Sequence, residues 1–166
     1  MSQKPAILLP IDFSDCSYSV VAEGARLARM MGARVVLLNV AEAPSGLSTT
    51  IKVQANDDAP LITIFDYLEQ KAAEQLPPFE LIVRTAGVEV SSMNVVGHAS
   101  EQIVATADEL GVEMIFMGTR GRKGLSRLLL GSTAEYVVRH ANCPVTTVRA
   151  KHRPECEATN CEWCAD

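Results

Sequence analysis

The residues with the most chemistry to offer lie between Gly118 and Thr133. Glycines stand at 118, 121, 124 and 131, Ser132 and Thr133 follow, and Arg120, Arg122, Lys123 and Arg127 fill the interval with no acid between Gly118 and Gly131. Glycine lets backbone N–H groups approach an anion closely, and a helix start presents unpaired N–H groups at the positive end of its dipole. Such a segment suits phosphate. Neither Gly-x-Gly-x-x-Gly after a first strand nor Gly-x-x-x-x-Gly-Lys-[Ser/Thr] occurs, so a Walker-type NTPase is excluded. Turns and caps made by the same glycines, with solvated arginines, are the structural alternative.

Asp12 is the second candidate. Its carboxylate could accept hydrogen bonds from a ribose or hold a metal bound to phosphates, and it could equally cap the helix that follows. His140 suits the last turn of a helix, where a cation complements the dipole, and His98 suits a turn or cap. Cys16 and Cys143 stand alone and read as small core residues. In the tail, His152, Cys156, Cys161 and Cys164 place four soft ligands within a short segment, and Cys-x-x-Cys is half of a common zinc arrangement. Zinc or another thiophilic metal, a redox-active or disulfide-forming pair, and inert thiols all stay open for that tail.

These residues need a frame. Dense apolar runs at Ala6–Ile11, Arg34–Val40, Met114–Met117 and Pro144–Val148 read as strands buried on both faces, and a weaker strand spans about Val88 to Val96. Between them, Val20, Val21, Leu27, Ala28 and Met31 repeat with helical spacing, as do Ile103, Ala107 and Leu110, and Ala134, Val137, Val138 and Ala141. Ser14, Asp15 or Ser17 can start the first helix, and Gly32 and Gly111 can end two of them. A further helix from about Leu61 should break or bend at Pro77–Pro78. Alternating strands and helices predict an α/β fold, a single doubly wound five-stranded parallel sheet with helices on both faces. Residues 41–60 read as a long loop. The glycine segment thus joins a strand's carboxyl end to a helix start.

Composition bounds the rest. With 166 residues, 48% hydrophobic and 21% charged, the chain fits one globular domain. Residues 1–150 are expected to form it, with 151–166 as a cysteine-containing tail. A net charge of −5 disfavours nonspecific binding to nucleic acid or anionic lipid. No stretch approaches the about 20 apolar residues of a membrane helix. The first apolar run reads as a strand and not an export signal, and five cysteines is an odd count, so a cytoplasmic location with reduced thiols is expected.

Gly118-x2-Gly121-x9-Gly131-Ser132 resembles the ATP-binding signature of the universal stress protein (UspA-like) family. The likeness continues through Asn142-Cys143-Pro144-Val145 and includes Leu9-Pro10-Ile11-Asp12-Phe13-Ser14 at the start, covering about Lys4 to Arg149. It implies a sheet ordered 3-2-1-4-5 and membership of the ATP-binding subgroup. It also implies that Pro10 and Asp12 meet the adenosine end and that Val40 contacts adenine through its backbone. Met117, Gly118, Arg120 and Gly121 would line ribose and phosphates, and Gly131, Ser132 and Thr133 would hold the phosphates. Where the family often has a Gly-Asp-Pro-type turn, this chain has Gly97-His98-Ala99-Ser100.

The expected function is therefore a regulatory, stress-response protein that binds ATP, with Mg as a candidate companion ion. Slow ATP hydrolysis or phosphoryl transfer is one alternative, with Asp12 holding a metal and Arg120 and Lys123 stabilising charge. Metal or redox sensing through the tail is another. The last strand, Pro144 to Arg149, should lie at a sheet edge, where exposed backbone invites pairing, and the resemblance implies a homodimer formed there.

Overall fold

The computed structural model describes residues 4–42, 52–54, 60–119 and 130–149. In chain order the elements are β1 (Ala6–Ile11), α1 (Asp15–Met31), β2 (Arg34–Ala41), β3 (Lys52–Val53), β4 (Ile62–Thr63), α2 (Ile64–Gln75), α3 (Pro77–Thr85), β5 (Val90–Val96), α4 (Ala99–Leu110), β6 (Met114–Gly118), α5 (Ser132–His140) and β7 (Val145–Val148). Five strands form one parallel sheet in the order β5-β2-β1-β6-β7, the expected 3-2-1-4-5 arrangement.

Side-chain alternation divides the core between two faces. Ile7, Leu9 and Ile11 of β1 join Val35 and Leu37 of β2 under α1 and α3, with Phe79 and Val83 among the buried residues there. Leu8, Val36 and Leu38 point the other way, against Ile103 and Ala107 of α4 and Ala134 and Val137 of α5. Fully burying one such aliphatic side chain is worth about 1.5–3 kcal/mol, so the apolar runs place the sheet in the middle layer. Gly24 brings α1 close to β1: a Cβ there would meet Leu9 Cδ2 at 2.5 Å. Gly32 ends α1 in the left-handed region, at φ 65°, as expected of a glycine after the last turn.

The sequence expectations need several corrections. The 41–60 stretch is not all loop: Ala41 belongs to β2, and Lys52–Val53 pairs antiparallel with Ile62–Thr63. Helix α2 begins at Ile64, because Thr63 and Asp66 form a reciprocal capping box. The expected break at Pro77–Pro78 is present: the two prolines occupy the first turn of a new helix, α3, where their missing N–H groups cost nothing. Strand β5 begins at Val90, two residues later than expected. Cys16 and Cys143 are half-buried, not fully enclosed; burial still raises the Cys143 thiol pKa above its ordinary value. Among the described residues, no helix is long and apolar enough to cross a membrane.

Candidate functional site

Strand β1 ends in a tight polar turn. Asp12 Oδ1 accepts from the Ser14 N–H (3.1 Å), the Ser14 hydroxyl (2.6 Å) and the Ser17 hydroxyl (2.8 Å). Ser14 is the residue before α1, yet it caps no helix N–H with its side chain. Both serines, read in the sequence as caps, instead hold the carboxylate. Asp12 Oδ2 is buried and has no hydrogen-bond partner. A buried acceptor left unpaired costs about 1–3 kcal/mol, so this oxygen is poised for a donor or cation.

Phe13 fixes the direction of that turn. Its φ is 60°, a left-handed conformation that costs a non-glycine residue about 1–3 kcal/mol and persists only where surroundings enforce it. Here the enforcement is aromatic. The Phe13 ring lies 5.9 Å from that of Phe79, which stacks on Tyr18 at 4.4 Å. Asn39, buried in β2, donates from Nδ2 to the Ile11 carbonyl at 3.1 Å and ties down the residue before Asp12. Sequence reading passed over Asn39, although a lone amide inside the run Arg34–Val40 was a visible signal.

Pro10 opens the sheet beside this turn. The Ala6 carbonyl accepts from Glu113 N–H at 2.8 Å, so Ala6, and by alternation Leu8 and Pro10, direct their backbone groups toward β6. Proline has no N–H for such a ladder. The pairing of β1 with β6 stops at Leu8 opposite Ile115, while β1 runs on to Ile11 and β6 to Gly118. The two strands therefore part at their carboxyl ends, at the point where the strand order reverses, which is where doubly wound sheets bind ligands.

The far wall of this opening is the start and end of the glycine segment. Gly118 lies in register with Val148 of β7, and Thr119 N–H donates to the Val148 carbonyl at 2.9 Å. Gly131 N–H in turn donates to the Thr119 carbonyl at 2.9 Å, which closes the ends of the segment on each other. Gly131 stands just before α5 with φ −62° and ψ 149° and, being glycine, offers no side chain to cap the helix. The first N–H groups of α5, from Ser132 and Thr133, have no acceptor within the helix and stand at the positive end of its dipole, where an anion is favoured. Met117 is buried on the α4/α5 face, and Val40 packs partly against that same cluster.

Arg120 and Gly121 lie outside the described residues, as do His152, Cys156, Cys161 and Cys164. The structure thus brings Pro10, Asp12, Met117, Gly118, Gly131, Ser132 and Thr133 around the parting of β1 and β6, with Val40 at the end of the adjacent β2. His98 precedes α4 and shares a 2.9 Å hydrogen bond with Ser100 Oγ, and His140 sits in the last turn of α5, with Nδ1 2.7 Å from the Tyr136 carbonyl. Among the described residues, no cluster of three or more His, Cys, Asp or Glu could hold a metal. A groove of about 350 Å³ lined by Lys4, Arg34, Glu89 and Ser91 lies at the amino ends of β1, β2 and β5, remote from this site. Its Lys4 is already paired with Glu89 at 3.3 Å.

Known proteins support the same frame. The model of the universal stress protein family matches residues 5–149. Universal stress protein MJ0531 of Methanocaldococcus jannaschii is 30% identical over 143 residues, covering 86% of this chain and 81% of the relative. The solved structure of protein MJ0577 superposes with a TM-score of 0.71 at 24% identity, covering 90% of this chain and 99% of that one. A universal stress protein from Archaeoglobus fulgidus, solved in complex with dAMP, gives a TM-score of 0.62 at 27% identity over 90% of this chain and all (100%) of that one. By the family match over 5–149 and the fold it shares with these proteins, the chain belongs to the universal stress protein family.

Proposed function

We propose that this chain binds an adenine nucleotide, ATP, across the parted ends of β1 and β6, and that occupancy serves a regulatory role in stress response. The observation that carries the reading is the unpartnered, buried Asp12 Oδ2 at the carboxyl end of β1, beside the opening that the glycine-led start of α5 also borders. An acceptor without a donor and a set of helix-start donors without an intrahelical acceptor are complementary to a ligand with sugar hydroxyls at one end and phosphates at the other. The dAMP complex of the Archaeoglobus fulgidus relative supports an adenine ligand.

In this reading Pro10, Asp12 and Val40 receive the adenosine end. Met117, Gly118, Arg120 and Gly121 line the ribose and phosphates, while Gly131, Ser132 and Thr133 donate to phosphate oxygens. The backbone angles at Gly131 suit any residue, and Gly118 has no positive φ, so neither is glycine for its conformation. Close approach of a ligand accounts for both. Residues 1–150 act as one nucleotide-binding unit, which we further propose pairs with a second copy through β7, the strand at one edge of the sheet.

A melting curve tests the reading. ATP at 100 times its dissociation constant should stabilise the fold by about 2.7 kcal/mol, and a curve unmoved by millimolar ATP overturns it. Phosphate release above a buffer blank would favour hydrolysis over regulation. Light scattering should give twice the 17.9 kDa chain mass, and a clean monomer contradicts the β7 pairing.

A further inference from the structure

The groove at the amino ends of β1, β2 and β5 has chemistry of its own. Register sets Arg34 of β2 beside Ala6 of β1, and Val36, two residues on, beside Ser91 of β5. Ala6 and Val36 belong to the core under α4 and α5, so Arg34 and Ser91 face that side of the sheet. On that side α4 packs on β2, whereas α3 packs on β5 from the opposite side. Ser91 is exposed, and a space of about 350 Å³ remains between Lys4, Arg34, Glu89 and Ser91.

Arg34 differs from the other cations. Among the described residues it is the one lysine or arginine that is not exposed, and no side chain there pairs with its guanidinium. Its backbone is held from both sides: Arg34 N–H donates to the Pro5 carbonyl and Val35 N–H to the Glu89 carbonyl, each at 2.8 Å. Lys4 and Glu89 meet at 3.3 Å with both side chains mostly in water, a pair that contributes little and exchanges readily. A partly desolvated guanidinium without an acceptor is costly, and its planar fork of donors fits the two oxygens of a carboxylate. Lys4 and Arg34 set against Glu89 leave one positive charge in the groove, within a chain of net charge −5. A monocarboxylate neutralises that charge. A phosphate dianion exceeds it and is repelled by Glu89.

We propose that this groove is a ligand site for a small 2-hydroxy monocarboxylate. The carboxylate lies bidentate on Arg34, Lys4 adds positive charge at the rim, and the ligand hydroxyl hydrogen-bonds with Ser91 Oγ. The volume is at the small end of the range for ligand pockets, which suits a compact acid. The site stands at the other end of the sheet from the parting of β1 and β6, and nothing in it depends on the nucleotide reading.

The test titrates lactate into the isotopically labelled full chain at an ionic strength fixed with chloride, following backbone amides and the Arg34 Nε–H. Shifts at Arg34, Glu89 and Ser91 should saturate with a dissociation constant of about 1–10 mM. Propionate, which lacks the hydroxyl, and inorganic phosphate should each bind at least about threefold more weakly. Arg34→Lys keeps the charge and loses the fork, and should weaken lactate binding at least about fivefold. Ser91→Ala, at an exposed position, should reduce lactate affinity to that of propionate. Shifts that do not saturate, or that chloride alone reproduces, overturn the proposal, as does an Arg34→Lys variant that binds lactate like wild type. Phosphate binding more tightly than lactate overturns the carboxylate assignment. Melting curves check that both variants fold; if Arg34→Lys does not, unchanged lactate affinity in Ser91→Ala overturns the proposal.

Discussion

Gly131 N–H donates to the Thr119 carbonyl at 2.9 Å, so the residue that leaves β6 and the residue that enters α5 are joined across the glycine segment. The bond uses only backbone atoms, and Gly131 sits at φ −62° and ψ 149°, angles open to any residue. The backbone at 131 therefore does not itself demand glycine, whereas a ligand resting on the helix start would exclude a side chain there. Gly131→Val is expected to cost the fold about 1 kcal/mol, because valine is a poorer N-cap than glycine, and to weaken ATP binding at least about tenfold. Urea unfolding and calorimetric titration check the two halves separately.

Asp12 carries two oxygens with different tasks. Oδ1 is saturated by Ser14 and Ser17, and Oδ2 has no partner. Ser17→Ala removes one donor to Oδ1 and loosens the carboxylate without removing the ligand-facing oxygen, so ATP affinity should fall by about three- to tenfold. Asp12→Ala removes the acceptor itself and should cost more than Ser17→Ala. Equal affinities for the two variants would detach Oδ2 from ligand binding.

Pro10 predicts an unusual trade. It stands in β1 where the pairing with β6 has already stopped at Leu8, and it lacks the N–H that could extend the ladder. Pro10→Val restores a donor and a residue suited to strands, so the free protein should be no less stable than wild type. The opening should narrow and ATP affinity should fall. A variant that binds ATP as wild type does would show that the parting of β1 and β6 does not depend on proline.

Glu80 gives a pH signature independent of ligand. The hydrogen bond from Ser92 is the main reason its carboxyl pKa is lowered, with Arg84 adding less because that side chain is largely in water. A carboxylate whose folded pKa lies below its unfolded value, about 4.3 for glutamate, contributes stability above that value and loses it as pH falls through the folded pKa. Ser92→Ala should therefore be less stable than wild type at pH 7, and the gap should shrink as pH falls toward 3. Urea unfolding across that range measures it; a gap independent of pH contradicts the assignment.

Much of the frame was legible in the sequence because it follows from periodicity and turn chemistry. The buried runs at Ala6–Ile11 and Arg34–Val40 became β1 and β2, and Gly32 and Gly111 ended α1 and α4 as glycines in the left-handed region. Asp12 and the Gly118–Thr133 segment were readable as types suited to phosphate and sugar, and the fold set Asp12, Gly118 and Gly131 around one opening. What escaped was relational. Nothing in the residue Pro10 says which neighbouring strand it faces, and Ser91 gains meaning only when register places it beside Val36, two residues from Arg34. Ser14 and Ser17 read as caps because local spacing cannot show a carboxylate folding back from Asp12.

The most direct test of the central claim is a titration of ATP into isotopically labelled protein, followed through backbone amide shifts. The largest changes should fall at Asp12, Gly118, Thr119, Gly131, Ser132 and Thr133, the residues around the parting of β1 and β6. Changes confined to the groove at Lys4, Arg34, Glu89 and Ser91, at the opposite end of the sheet, would contradict it.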